Sequence, residues 1–269
     1  MRWVILILAL AAPLLARAQM HEADKPQLLP AELADSLVAR GARIGQIRLD
    51  PENVFDLSKP DENKRLYRVA DRLHRTTREK VVEDALLFES GDPYDPAILL
   101  ETEREIRSRG AIAEAFVVPS AYNQDTNTVD ILVITRDSWS LSTNLSFGRS
   151  GGENHSGFGF EEKNLFGSGM RLNLMHESDI DRDRDIVGFD DEDLFGSRVR
   201  LGLNYANASD GSSRGVMLGR PFYALEARWS LDSVFAQNDR IDWIYDLGDP
   251  VGAFRHEAAH RFRHHQKDQ

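Results

Sequence analysis

The stretch "SWSLSTNLSFG", Ser138 to Gly148, decides how the second half of this chain is read. Trp139, Leu141, Thr143, Leu145 and Phe147 share one parity, and Ser140, Ser142, Asn144 and Ser146 the other. Strict alternation over about ten residues describes a strand with one apolar and one polar face. The pattern returns at 170–177 ("MRLNLMHE"), 198–205 ("RVRLGLNY") and 224–235 ("ALEARWSLDSVF"). The polar parity includes Arg171, Asn173, Glu177, Arg200, Asn204 and Asp232. A soluble sandwich also alternates. Strands of about 9–11 residues with an apolar outer face and a charged inner one point instead to a transmembrane β-barrel. Hydrocarbon demands such closure, because every backbone amide there must be bonded within the sheet.

The connections between strands add direction. Polar loops are expected at 148–156, 178–185, 207–213 and 236–240, and short turns at 164–168, 193–196 and 220–224. Each short turn holds a phenylalanine: Phe166, Phe195 and Phe222. Polar loops at one end and aromatic turns at the other place these three at a membrane interface. Two of the turns repeat one text, "EEKNLFGSG" (161–169) and "DEDLFGSR" (191–198). Strands are expected near 139–148, 156–163, 169–178, 185–191, 197–207, 213–220, 224–236 and 240–246, with a ninth from Ala253. Glycines at 148, 151, 152, 157 and 159 are expected to relieve crowding in the first hairpin.

Upstream, the order is strand, helix, helix, strand, strand, with the helix at 62–74 an extra length beside that pattern. Arg43 to Asp50 alternates as a strand. Leu66, Val69, Ala70 and Leu73 predict a helix over 62–74, and Val81, Ala85 and Phe88 a second over 77–88. Asp95 caps a third, Pro96 occupies its first position, Leu99, Thr102 and Ile106 face inward, and Gly110 is the expected stop. Two strands follow, joined by "YNQDTN" (122–127).

The opening "MRWVILILALAAPLLARAQ" has one early cation, an apolar run and Ala16-Arg17-Ala18, the layout of a secretory signal peptide. The chain is acidic, with 44 Asp and Glu against 33 Lys and Arg, which argues against nucleic acid as a partner. With no cysteine, disulfides and thiolate metal sites are excluded.

Two stretches have the form of chemical motifs. His256-Glu257-Ala-Ala-His260 has the H-E-x-x-H form, which on a helix would make His256 and His260 zinc ligands and the chain a secreted hydrolase. A third ligand at the usual spacing is absent, so the favoured expectation is no metal, no cofactor and no enzyme. "DIDRDRD" (179–185) interleaves arginines with its carboxylates and lacks the glycine and terminal glutamate of a calcium loop.

"LLFESGDPYD" (86–95), the helix after it and the closing strands resemble a POTRA domain, the polypeptide-transport-associated module. "SGFGFEEKNLFGSGMRLNL" (156–174) resembles an early hairpin of the outer-membrane assembly and translocation pore superfamily, with "TRDSWSL" (135–141) as the junction. The resemblance implies an α+β POTRA-like periplasmic domain at 43–137, after a signal peptide at 1–18 and a linker at 19–42. It implies the N-terminal strands of an antiparallel transmembrane β-barrel at 138–269, in the outer membrane of a Gram-negative bacterium. Barrels of that family have sixteen strands, so a truncated barrel is expected. The implied function is outer-membrane protein insertion or polypeptide translocation. Its partners would be the lipid bilayer and client chains or periplasmic subunits bound by strand addition, with the strands at 115–119 and 129–135 as candidate edges. A passive outer-membrane pore is the alternative.

Overall fold

A computed structural model of the chain describes residues 31–55, 65, 74–150, 153–225 and 227–267. The expected signal peptide at 1–18, the first part of the linker, and the helix at 62–74 apart from Arg65 and His74 lie outside the described residues. The chain divides into two units, Met1–Ser140 with Phe166–Ser168, and Leu141–Leu165 with Gly169–Gln269.

In the first unit, residues expected to be linker form helix α1 (Ala31–Ala39), whose Leu37 is fully buried. Strand β1 (Arg43–Glu52) follows, then the short helix α2 (Glu79–Glu83) and helix α3 (Pro96–Ser108). Asp95 Oδ1 accepts from Ala97 N at 2.8 Å, so the cap read from the sequence is made. Leu99, Thr102 and Ile106 are buried at i, i+3 and i+7. Arg109 ends α3 in an extended conformation, so Gly110 is not needed as a left-handed stop. Helix α2 is shorter than expected because its last amides tighten to i−3 carbonyls, Ala85 to Val82 and Leu86 to Glu83. Val82, Ala85 and Phe88 stay buried.

Strands β2 (Ile112–Asn123) and β3 (Thr128–Asp137) complete a three-stranded sheet of order β1-β3-β2. β1 runs parallel to β3, while β2 pairs antiparallel with it. The core under this sheet is Leu37, Ile44, Val82, Ile106, Val129, Ile131 and Val133, each at most 1 % exposed. Burial of each such side chain is worth about 1.5–3 kcal/mol. The order makes β3 the central strand. The stretch 129–135 therefore offers no free edge, and of the two expected candidates only β2 does.

The second unit is an eight-stranded antiparallel sheet in sequence order: β4 (Leu141–Ser150), β5 (Glu153–Glu162), β6 (Arg171–Ser178), β7 (Asp183–Asp191), β8 (Arg200–Ala208), β9 (Gly211–Arg220), β10 (Trp229–Asp246) and β11 (Asp249–Lys267). The loop expected at 236–240 is instead the middle of β10, and two expected strands fuse into one of 18 residues. "QND" looked like a loop because it is polar. In the structure Asn238 and Asp239 pair with β9 on one side and β11 on the other, and the Arg255 guanidinium holds the Asp239 carboxylate at 2.9 Å. The reversal comes at Leu247-Gly248, both with positive φ (51° and 98°), as a two-residue hairpin loop requires.

Candidate functional site: a two-faced sheet with unpaired edges

Strand register sorts the second unit's side chains into two faces. One row runs Phe235–Val216–Leu203–Phe189–Leu172 across β10 to β6. On the other face a row runs Ser142–Glu161–Asn173–Gly188–Asn204 across β4 to β8. The alternation read along single strands is thus in register across the sheet, as a shared apolar face requires. Phe147, Phe158, Leu174, Val216, Leu218 and Leu231 on the apolar face are all exposed. A monomeric soluble protein seldom leaves so much contiguous apolar surface open. On the polar face a Cβ at Gly157 would stand 2.6 Å from Ser146 Oγ, so the serine hydroxyl would have to rotate away, whereas Gly148 has open space. No helix among the described residues is long and apolar enough to cross a membrane.

The edges are β4 and β11, which do not pair with each other among the described residues. Each presents a row of backbone donors and acceptors, the groups that take up an added strand.

The repeated turn text is a repeated hydrogen-bond circuit. Leu165 N donates to Met170 O (2.9 Å), and Leu194 N to Val199 O (2.8 Å). Asn164 Oδ1 accepts from Gly169 N (2.9 Å), and Asp193 Oδ1 from Arg198 N (2.6 Å). Glu162 and Asp191 accept from the amides two residues on. The acid, the Asn or Asp and the small residues are therefore each used. Phe166 and Phe195 both sit at φ 56° in a one-turn 3-10 segment, 67 % and 95 % exposed. That left-handed backbone points each ring out of the turn. Phe166 and Gly167 are counted with the first unit, where Gly167 O accepts from Arg78 N (2.9 Å). Phe222 lies between β9 and β10, in a connection longer than the expected turn at 220–224, and is exposed.

At the other end of the sheet, two connections meet strand β10. Arg182 Nη1 lies 3.4 Å from Asp210 Oδ2, and its Nη2 donates to Ile241 O at 3.1 Å. Ile241 N donates to the same Asp210 oxygen at 2.9 Å. Asp179 Oδ1 accepts from the amides of Asp181 and Arg182. Burial pushes the Asp179 carboxyl up, but those two amides and the nearby arginines outweigh it and hold the group below its ordinary value. The arginines of "DIDRDRD" pair mainly outside that stretch, Arg182 with Asp210 and Asp242 and Arg184 with Glu177, and only Arg184–Asp179, at 4.0 Å, lies within it.

His256 and His260 lie in β11, an extended strand, not on a helix. Four residues of strand separate them by ~13 Å, too far to share one ion. Among the described residues there is no cluster of three metal-ligating side chains.

One constellation was missed from sequence. His74 Nε2 lies 2.7 Å from Asp137 Oδ2, and His74 Nδ1 lies 3.2 Å from Ser140 Oγ. Asp137 Oδ2 also accepts from Thr77 N at 2.7 Å. A carboxylate only accepts, so Nε2 carries the proton toward it. Serine, histidine and aspartate are the residues of a nucleophilic triad. Here the His74 and Asp137 side chains have no exposure and Ser140 is 2 % exposed, so no substrate reaches the hydroxyl. The three pin residues 74–77 to the end of β3. Only the separation of 63 residues hid them.

No family model matches the chain, and no curated protein matches it. Solved structures do. BamA from Haemophilus ducreyi lacking POTRA domains 1–3 matches with a TM-score of 0.53 at 12 % identity, covering 85 % of this chain and 44 % of that one. CdiB from Acinetobacter baumannii gives 0.49 at 14 % identity, over 85 % and 43 %. The chain spans less than half the length of either protein. Its mostly antiparallel, eight-stranded architecture is similar in fold to the BamA structure.

Proposed function

We propose that this chain is a non-enzymatic component of outer-membrane protein insertion or polypeptide translocation. The observation that carries the proposal is the register of the second unit: an apolar face continuous across strands, a polar face behind it, and two unpaired edges. A face of this kind suits the bilayer, and the edges suit strand addition. Likeness of fold to BamA supports the reading. So does the resemblance of the first hairpin and junction to the assembly and translocation pore superfamily. In this reading the first unit is a POTRA-like periplasmic domain delivered by a cleaved signal peptide. Its β2 edge binds clients or partner subunits, and Phe166, Phe195 and Phe222 lie at the periplasmic interface. The barrel is completed by strands other than β4 to β11.

Two measurements test this. The protein should fractionate with the outer membrane and change gel mobility on heating, as barrels do. Depleting it should lower the abundance of other outer-membrane proteins. A normal census after depletion would leave only a passive pore.

A further inference from the structure

The apolar face does not extend over β11. Positions in register with Leu231, Ser233 and Phe235 of β10 carry His265, Arg263 and Arg261. Arg220 of β9 lies on the other side of Leu231, so Arg220, Leu231 and His265 form one row. Arg220 is held by aromatic rings, its guanidinium 4.2 Å from the Trp229 centroid and 4.7 Å from that of Tyr223, and it donates to Tyr223 Oη at 3.0 Å. Arg198 stacks on the same tyrosine at 4.4 Å. It does so from a left-handed backbone (φ 59°), at the turn position that holds Gly169 in the sibling turn. A non-glycine residue in that conformation is strained.

Acids outnumber bases in this chain, yet among the described residues no carboxylate pairs with Arg220, Arg261 or Arg263. At the opposite end of the sheet Arg182, Arg184, Arg240 and Arg255 are each paired. The unpaired cations adjoin exposed apolar groups, with Trp229, Leu231 and Leu218 on the same face. A ligand for this surface must be anionic at one end and apolar along its length. An acidic peptide meets only the first condition.

Resting on the barrel reading above, we propose that the Phe195–Phe222 end of β8 to β11 binds an anionic phospholipid. The phosphate sits among Arg198, Arg220, Arg263 and His265, and the acyl chains run along Leu231, Leu218 and Phe235. Arg261, one step farther from the strand end, reaches the headgroup by extending its aliphatic stem toward the interface.

The test reconstitutes the full chain in phosphatidylcholine vesicles with and without phosphatidylglycerol, re-extracts it in neutral detergent and quantifies retained lipid by mass spectrometry. Phosphatidylglycerol should be enriched over its vesicle fraction. R220Q/R263Q should lower the enrichment on the order of tenfold, and R220K/R263K should retain most of it. Heat-modifiable migration checks that each variant is folded. Equal retention of the two lipids overturns the headgroup site and leaves the barrel standing. Inorganic phosphate competing as well as the lipid, or an acidic peptide binding in its place, also overturns it. A chain that enters neither kind of vesicle overturns both readings.

Discussion

Arg182 is the side chain whose removal the structure makes most informative. Its guanidinium joins the 179–182 connection to Asp210 and to the Ile241 carbonyl, so one residue ties three hairpins. The side chains of Arg182 and Asp210 are 13 % and 8 % exposed. Arg182→Ala removes a hydrogen bond to a carbonyl and leaves the Asp210 carboxylate held by the Ile241 amide, while its Oδ1 has no hydrogen-bond partner. Breaking a well-buried pair on one side costs about 3–5 kcal/mol. A contact of 3.4 Å, in a connection that water can approach, sits below that range. The expected loss is about 2–3 kcal/mol, a factor of roughly 30–150 in the folding equilibrium. Urea unfolding of the detergent-folded chain, followed by tryptophan fluorescence, reads it as a lowered midpoint at constant slope. Arg182→Ala/Asp210→Asn should recover about 1 kcal/mol, because no charge is then stranded. A single variant within about 0.5 kcal/mol of the parent, a neutral surface change, would refute the idea that Arg182 clamps these hairpins.

Three further outcomes follow from other sites. Gly167→Ala should destabilise by about 2 kcal/mol in thermal unfolding, since φ is 73° and the new Cβ runs into Thr76 O; an unchanged midpoint denies the close approach. Asn238→Cys/Ala258→Cys should form an intramolecular disulfide in a chain with no other cysteine, because the two are paired across β10 and β11; purely intermolecular products would restore the loop reading of 236–240. Asp179 is depressed when folded, so its contribution is complete above the unfolded value of about 3.9 and is lost as pH falls through the lower folded value. Asp179→Asn should flatten the acid limb of a stability-versus-pH curve below about pH 4, and an unaltered limb would sink that assignment.

Period-two alternation made most of the second unit legible, because a strand's faces are written in adjacent residues. The strand from 200 to 208 was readable from Leu201, Leu203 and Tyr205 alone. The β10–β11 hairpin was not. Its polar middle is held to the next strand by the Arg255–Asp239 pair, which becomes visible only when the partner strand is in place. The same limit hid His74, Asp137 and Ser140, whose meeting depends on the first unit's tertiary fold. Local turn chemistry fared differently. Asn164 and Asp193 act within five residues of themselves, so the repeated text carried its own explanation. The central place of β3 was unreadable, since parallel pairing with β1 leaves no mark on either strand.

Strand count sets a parity rule for whatever completes the sheet. Eight alternating strands leave β4 and β11 running in opposite senses. A strand laid antiparallel on β11 runs in the same sense as β4. One added strand can therefore extend either edge, but it cannot bridge both without a parallel ladder on one side. Closure by antiparallel pairing alone admits only even insertions, whole hairpins, whether they come from the same polypeptide or another. A single captured strand leaves the sheet open on its far side, ready for the next.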